Sequence, residues 1–323
     1  MSQSQFVSKC TVDALDVAAN TLKAGNLVAF PTETVYGLGA DATNKAAIAR
    51  IYQAKGRPDN HPLIVHLHSM QAISDWVKDI PTYAISLARD FWPGPMTLIL
   101  KRSLLAQDFI TGGQDTVGIR VPDHVVALAL LEAFHKAGGR GIAAPSANRF
   151  GQVSPTTAQA VSEELGRYLK SEDQILDGGP CAVGVESTII DCTGDTPRIL
   201  RPGAITAEMI AASTGLVVFD SIGTTIRVSG SLEAHYAPLA QVLLCQTPVP
   251  GQGFIAFANQ ETPDGVIRLA APLTSAEYAR ELYAALRRAD ELRLTEVVAM
   301  QPVGIGIEVA IRDRLVRATN GRQ

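Results

Sequence analysis

A chain of 323 residues with 46% hydrophobic and 19% charged side chains sits close to the globular average and far from the polar composition of disorder. Single cores usually stop growing beyond about 250 residues, so the length calls for two domains. The formal charge of −4 comes from 28 basic and 32 acidic side chains, 18 against 20 up to Pro202 and 10 against 12 beyond it. Neither part carries the basic surplus of a nonspecific nucleic-acid binder. The N-terminus, MSQSQFVSKC, has no apolar run of signal-peptide length and no later segment approaches the roughly 18 apolar residues of a membrane span, so a cytoplasmic protein is expected. Cys10, Cys181, Cys192 and Cys245 are scattered, form no C-x-x-C pair and read as reduced thiols.

Thr11 predicts an N-cap for a helix to Ala24, with Leu15, Ala18, Ala19 and Leu22 on one face and Gly25 as the stop. A buried strand over Leu27 to Phe30 leads into a loop from Pro31 to Asp41. Thr43 is expected to cap a second helix ending near Lys55-Gly56-Arg57-Pro58. Strands follow at Leu63 to Leu67, Thr97 to Lys101, Val117 to Val121 and Ile142 to Ala144, with helices over Met70 to Val77, Tyr83 to Phe91 and His124 to Ala137. Ser154-Pro155 reads as the start of a helix to about Leu165. Strands at Gln174 to Leu176, Ser187 to Asp191 and Arg198 to Pro202 precede a short helix opened by Thr206.

From Asp220 to Pro238 the periodicity fades into a Gly/Ser/Thr-rich linker. Strands at Val242 to Cys245, Phe254 to Phe257, Val266 to Leu269 and Val297 to Ala299 then accompany helices over Ser275 to Leu292 and Ile307 to Ala318. The expected divisions are residues 1–214, a linker or lid over 215–238, and a small C-terminal α/β domain over 239–323.

Gly37-Leu38-Gly39-Ala40-Asp41-Ala42 fits G-x-G-x-x-A, but PTETVY separates it from the preceding strand, so its glycines do not form a dinucleotide-binding turn. A Walker loop is absent. His61, His66 and His68 lack a carboxylate or cysteine to complete a metal set, so none is assigned; His66 reads as a polar site residue. Lys55 and Arg57 end a helix, where the plain alternative is neutralising its dipole. In Ala144-Pro145-Ser146-Ala147-Asn148 a hydroxyl and an amide follow a buried strand, a wall suited to phosphate or sugar oxygens. The glycines of Gly178-Gly179-Pro180-Cys181-Ala182-Val183-Gly184 allow close backbone approach to a ligand. Arg120 and Arg201 each end a strand before a turn proline, offering a planar fork to carboxylate or phosphate, or a plain surface charge.

Taken together, FPTETVYGLGADA (30 to 42), QAKGRP (53 to 58), PLIVH (62 to 66), WPGPMTLIL (92 to 100), TVGIRVP (116 to 122), APSAN (144 to 148), GVESTIID (184 to 191) and ILRPG (199 to 203) resemble the YrdC-type threonylcarbamoyl-AMP synthases. The length beyond residue 203 and GSLEAHYAP (230 to 238) resemble the long two-domain form. The resemblance implies an α/β (α+β) fold: a twisted mixed sheet with flanking helices around a central cleft, plus a small C-terminal Rossmann-like α/β domain.

It also implies a nucleotidyltransferase that converts L-threonine, bicarbonate and ATP, with Mg²⁺, to threonylcarbamoyl-AMP and pyrophosphate. The product would supply a downstream threonylcarbamoyl-transferase machinery that modifies tRNA at position 37. By position, Lys55, Arg57, Ser146 and Asn148 would be catalytic, and Thr32, His66, Arg120 and Ser187 would hold threonine. ATP would meet Lys55, Arg57, His61, Thr116, Ala144, Ser146, Asn148, Arg201 and Tyr236. In the long form an asparagine stands before the proline where this chain has His61, which makes that contact dependent on pH. Two alternatives remain: an RNA-binding surface on the same fold, which the charge disfavours, and carbamoyl transfer of the hydrogenase-maturation type, whose N-terminal modules are missing from the match.

Overall fold

The computed structural model describes residues 7–230 and 236–321. Of the linker string, Ser231 to His235 lies outside the described residues. The first part of the chain opens with β1 (Val7–Lys9), α1 (Val12–Lys23), β2 (Val28–Phe30), β3 (Gly37–Asp41), α2 (Lys45–Lys55) and β4 (Ile64–His66). It continues through α3 (Ile73–Trp76), α4 (Thr82–Phe91), β5 (Met96–Lys101), α5 (Asp108–Thr111), β6 (Thr116–Arg120), α6 (Val125–Lys136) and β7 (Ile142–Ala143). Then come α7 (Ala158–Leu165), β8 (Gln174–Asp177), β9 (Thr188–Asp191), β10 (Arg198–Arg201) and α8 (Ala207–Thr214).

Ten strands form one mixed sheet in the order β1-β8-β2-β3-β7-β4-β6-β5-β9-β10. Thr11 caps α1 by accepting from Ala14 N, and Gly25 ends it at φ +83°. One face of that helix buries Ala18, Ala19 and Leu22 against Leu130 and Phe134 of α6 and Val28 and Phe30 of β2. The opposite face of the sheet carries the larger core, with Ile48 and Ile51 of α2 packed among Leu38, Trp76 and Leu98. Both sides of the central strands are thus covered, which explains their near-continuous apolar runs.

Three local readings are corrected by the fold. The segment 31–41 is not all loop: Gly37–Asp41 is a fully buried strand, antiparallel to β2 and β7. Its glycines hid it, yet they are what the site requires, because a Cβ on Gly39 would come within 2.9 Å of both Ile142 and Phe30. Asn44, not Thr43, caps α2, since Thr43 is turned back onto Asp41. Thr157 opens α7, because the Ser154 hydroxyl is spent on Glu186.

The remainder comprises β11 (Gln241–Leu244), β12 (Gly253–Ile255), β13 (Ile267–Ala270), α9 (Ser275–Glu291), β14 (Glu296–Ala299) and α10 (Glu308–Thr319). These four strands make an all-parallel sheet in the order β11-β14-β12-β13. The long α9 buries Tyr278, Ala279, Leu282, Tyr283 and Leu286, an apolar stripe at helical spacing. Val35, Val153 and Val185 from loops of the first sheet join this second core, so the two layers meet through apolar as well as polar contacts. Among the described residues, no helix is long and apolar enough to cross a membrane.

Candidate active site

The cleft lies across the middle of the ten-stranded sheet. Parallel pairing of β4 with β6 sets His66 opposite Arg120, and the antiparallel β7 delivers Ala144, Pro145 and Ser146 beside them. Period-two alternation places Thr116, Gly118 and Arg120 on one face of β6. A bridge between Gly37 and Ser146, with Leu38 N donating to Pro145 O and Ala147 N to Tyr36 O, ties the APSAN loop to β3. Backbone geometry therefore fixes the cleft wall before any side chain is considered.

Of the residues assigned by position, Thr32, Arg57, His66, Arg120, Ala144, Ser146, Ser187, Arg201 and Tyr236 line one cavity. Three guanidinium groups converge there, with Arg57 7%, Arg120 4% and Arg201 4% exposed. Arg57 Nε and Arg120 Nε are buried with no hydrogen-bond partner, so both lining arginines keep unused donor capacity. Arg201 braces the rim by donating to Ser187 O at 2.9 and 3.1 Å and to Ser229 O at 2.9 Å. Glu186 is the lining carboxylate, and it is already held by Ser154 and Arg314. Such a cavity favours an anionic occupant, since buried cations are costly until they meet one.

Arg120 also pairs with Glu33 at 2.7 Å and donates to Thr34 Oγ1 at 2.9 Å, while the Thr34 and Thr32 hydroxyls are 2.8 Å apart. Thr32 and Thr34 line the cavity, whereas Glu33 meets Arg120 outside its lining. Thr34 and Glu33 were missed from the sequence, because the bend over residues 33–35 has no period that would tell which side chains line the cavity.

Lys55 stands one layer back. Its ammonium donates to Ser146 O at 2.6 Å and to Asn148 O, and burial followed by the charge of Arg57 pushes its pKa well below the usual range. Asn148 is likewise turned into its own loop, donating to Arg149 O and Gln152 O. Both residues hold the wall that presents Ser146 to the cavity. His61 is half-buried and edge-on to Phe150 at 5.3 Å; burial, then Arg57 and Arg227, lower its pKa. Thr116 lies in an adjoining cavity roofed by Arg227, Val228 and Ser229.

The segment before residue 230 is sewn across this strip. Arg57 donates to Ser229 Oγ, Gln114 and Arg227 exchange two hydrogen bonds, and Arg227 reaches Gly112 O. With Ser229, Gly230 and Tyr236 in place, the main cavity keeps about 40 Å³, roughly room for a few waters rather than a nucleotide. Tyr236 is buried at φ +62°, stacked on Tyr283 at 5.6 Å.

His66 gives the site a pH signature. Burial, reinforced by Arg120, pushes its pKa down to about 3, so the folded protein holds a neutral imidazole where the unfolded chain binds a proton below about 6.5. The unfolded state therefore binds more protons between those values, and stability falls as the pH drops through that window by on the order of a few kcal/mol. His66→Gln is expected to flatten this acid limb, measured as urea midpoints at pH 7 and pH 4.5. Equal losses in both proteins would contradict the buried neutral imidazole.

The fold and the cleft define an α/β protein that gathers three buried arginines in a cavity of its first, mixed sheet and carries a second, parallel sheet. Residues 20–203 match the Sua5–YciO–YrdC family model, described as "Telomere recombination", and residues 205–320 match the threonylcarbamoyl-AMP synthase C-terminal domain. The threonylcarbamoyl-AMP synthase of Pyrococcus abyssi is 40% identical over 326 residues, spanning 95% of this chain and 94% of that protein. That of Bacillus subtilis is 40% identical over 332 residues, spanning 94% and 92%. The crystal structure of P. abyssi Sua5 complexed with L-threonine is similar with a TM-score of 0.86 at 36% identity, covering 98% of this chain and 97% of that one. The chain belongs to the Sua5–YciO–YrdC family, in its two-domain form.

Proposed function

We propose that this protein is a threonylcarbamoyl-AMP synthase, which joins L-threonine, bicarbonate and ATP into threonylcarbamoyl-AMP with loss of pyrophosphate and water. The observation that carries the reading is the convergence of Arg57, Arg120 and Arg201 in one buried cavity between two hydroxyl-bearing walls. In this reading Arg120 takes the threonine carboxylate, with Thr32, His66 and Ser187 around the rest of the amino acid. The amine adds to the carbon of bicarbonate, a C–O bond of that adduct breaks to release water and leave the carbamate, and a carbamate oxygen then attacks the α-phosphorus as pyrophosphate departs. Lys55, Arg57, Ser146, Asn148 and Arg201 form the surroundings of ATP, with Ala144 in the wall, His61 and Thr116 flanking, and Tyr236 above. The work is positioning and charge stabilisation, and no covalent nucleophile takes part.

Mg²⁺ enters with the nucleotide. The Glu186 carboxylate is already held by Ser154, Tyr283 and Arg314, so the phosphates are the natural ligands of the ion. The product feeds the threonylcarbamoyl-transferase machinery acting on tRNA. Residues 1–214 form the catalytic unit, 215–238 the lid, and 239–323 the small C-terminal domain. Because the lid segment occupies the strip beside Thr116, nucleotide entry requires it to move.

Pyrophosphate release from purified protein with ATP and Mg²⁺ tests the reading. Release is expected only when threonine and bicarbonate are both present. Release with neither, or its absence together with a salt-sensitive RNA affinity, would overturn it.

A further inference from the structure

Arg314, on α10 of the C-terminal domain, is 0% exposed, and its guanidinium joins two segments of the first sheet. Its Nε donates to Glu186 Oε2 at 2.9 Å, and Nη2 donates to Pro202 O at 2.9 Å. Glu186 immediately precedes Ser187, and Pro202 immediately follows Arg201. One side chain from the far domain therefore spans the two positions adjacent to the two cleft residues that are themselves bonded to each other.

The rest of the cluster closes around the same point. Ser154 donates to Glu186 Oε1 at 2.6 Å and Tyr283 donates to Oε2 at 2.8 Å, while Asp313 balances Nη1 of Arg314. The Arg314 guanidinium also lies over the Tyr236 ring at 5.3 Å from its centroid, with Tyr283 stacked on that ring. Burial alone would raise the Glu186 pKa, but Arg314 and then Arg201 hold it down to about 2. The cluster is thus charged and fully engaged at neutral pH. Apolar residues of similar volume usually serve stability as well as or better than a buried ion pair, so stability alone is a weak reason for one at this place.

We infer that Arg314 is a positioning residue for the reaction: bound to Glu186 and Pro202, it fixes Ser187 and Arg201 relative to each other and seats Tyr236 against the cleft. This inference rests on the proposed function and gives the C-terminal domain a defined part in it. Threonine meets Ser187, so misplacement of that segment should appear first in the threonine requirement.

The test is steady-state pyrophosphate release by the full-length protein at varied threonine, with thermal melting of each variant. Arg314→Met is expected to raise the threonine KM at least about tenfold in a protein that still melts cooperatively. Arg314→Lys, which restores the charge without the fork, should fall between it and wild type. Arg312→Met, removing an arginine of the same helix that bonds Pro302 O and Gly304 O outside the cluster, should match wild type. If Arg314→Met does not fold, Tyr283→Phe carries the test, removing one hydroxyl from Glu186 with an expected rise of about threefold. Threonine KM values within 1.5-fold of wild type in the folded variants would overturn the inference while leaving the function intact. Wild-type protein without threonine-dependent release would overturn the function itself, and the inference with it.

Discussion

Lys55→Ala is expected to lower kcat by at least about a hundredfold while leaving the protein folded. Lys55 is 2% exposed, and its ammonium joins the carbonyl oxygens of Ser146 and Asn148. It is the pin through the loop that sets Ser146 against Arg57 and Arg201 in the cavity. Loss of the pin lets the loop relax, and a displacement of about 1 Å around reacting groups can cost two orders of magnitude. Stability should behave differently. Two buried carbonyls lose a donor at about 1–3 kcal/mol each, but the cost of keeping a buried ammonium charged beside Arg57 disappears as well. Activity should therefore fall much further than the melting temperature suggests. Steady-state pyrophosphate release at saturating substrates with a melting curve on the same sample decides it, and a kcat within threefold of wild type would remove Lys55 from the site.

Arg120→Ala is expected to raise the threonine concentration needed for half-maximal rate by roughly 10- to 100-fold, since a hydrogen bond to a charged group contributes about 1.5–3 kcal/mol. The complication is Glu33, 2.7 Å from Arg120 and nearly as buried. Truncating one partner of a buried pair costs about 3–5 kcal/mol because the other charge is stranded. A fall in melting temperature is therefore expected alongside the kinetic effect. Adding Glu33→Gln to Arg120→Ala separates the two, since the double variant should recover stability and still require high threonine. If the double variant also recovered normal threonine kinetics, the carboxylate contact would belong to another residue, with Arg201 next in line. The nucleotide requirement should move little in either variant.

Much of the cleft was legible because short strings carry local geometry. The APSAN loop and the strand ends at Arg120 and Arg201 announced a polar wall, and nine of the residues assigned by position line one cavity. Lys55 and Asn148 carry a subtler lesson: the residue types pointed to ligand contact, whereas their polar groups engage the loop backbone in this closed arrangement. The glycine-rich β3 escaped notice because glycine has low strand propensity, and only the approach of Ile142 and Phe30 to Gly39 explains its use there.

Local patterns in the chain were enough to specify the alternation of strands and helices, the two-domain form, and most of the polar residues that line the cavity. Those properties depend on neighbours a few positions apart, where helix caps, the 3.6 and 2.0 periods and turn residues act. Tertiary structure alone decided the ten-strand order, the placement of His66 opposite Arg120, and the pairing of Glu186 with Arg314 across 128 positions. Such pairings follow from which faces must be buried together and which buried charges must find a partner. No local pattern encodes that choice, because it is made by the packing of the whole chain.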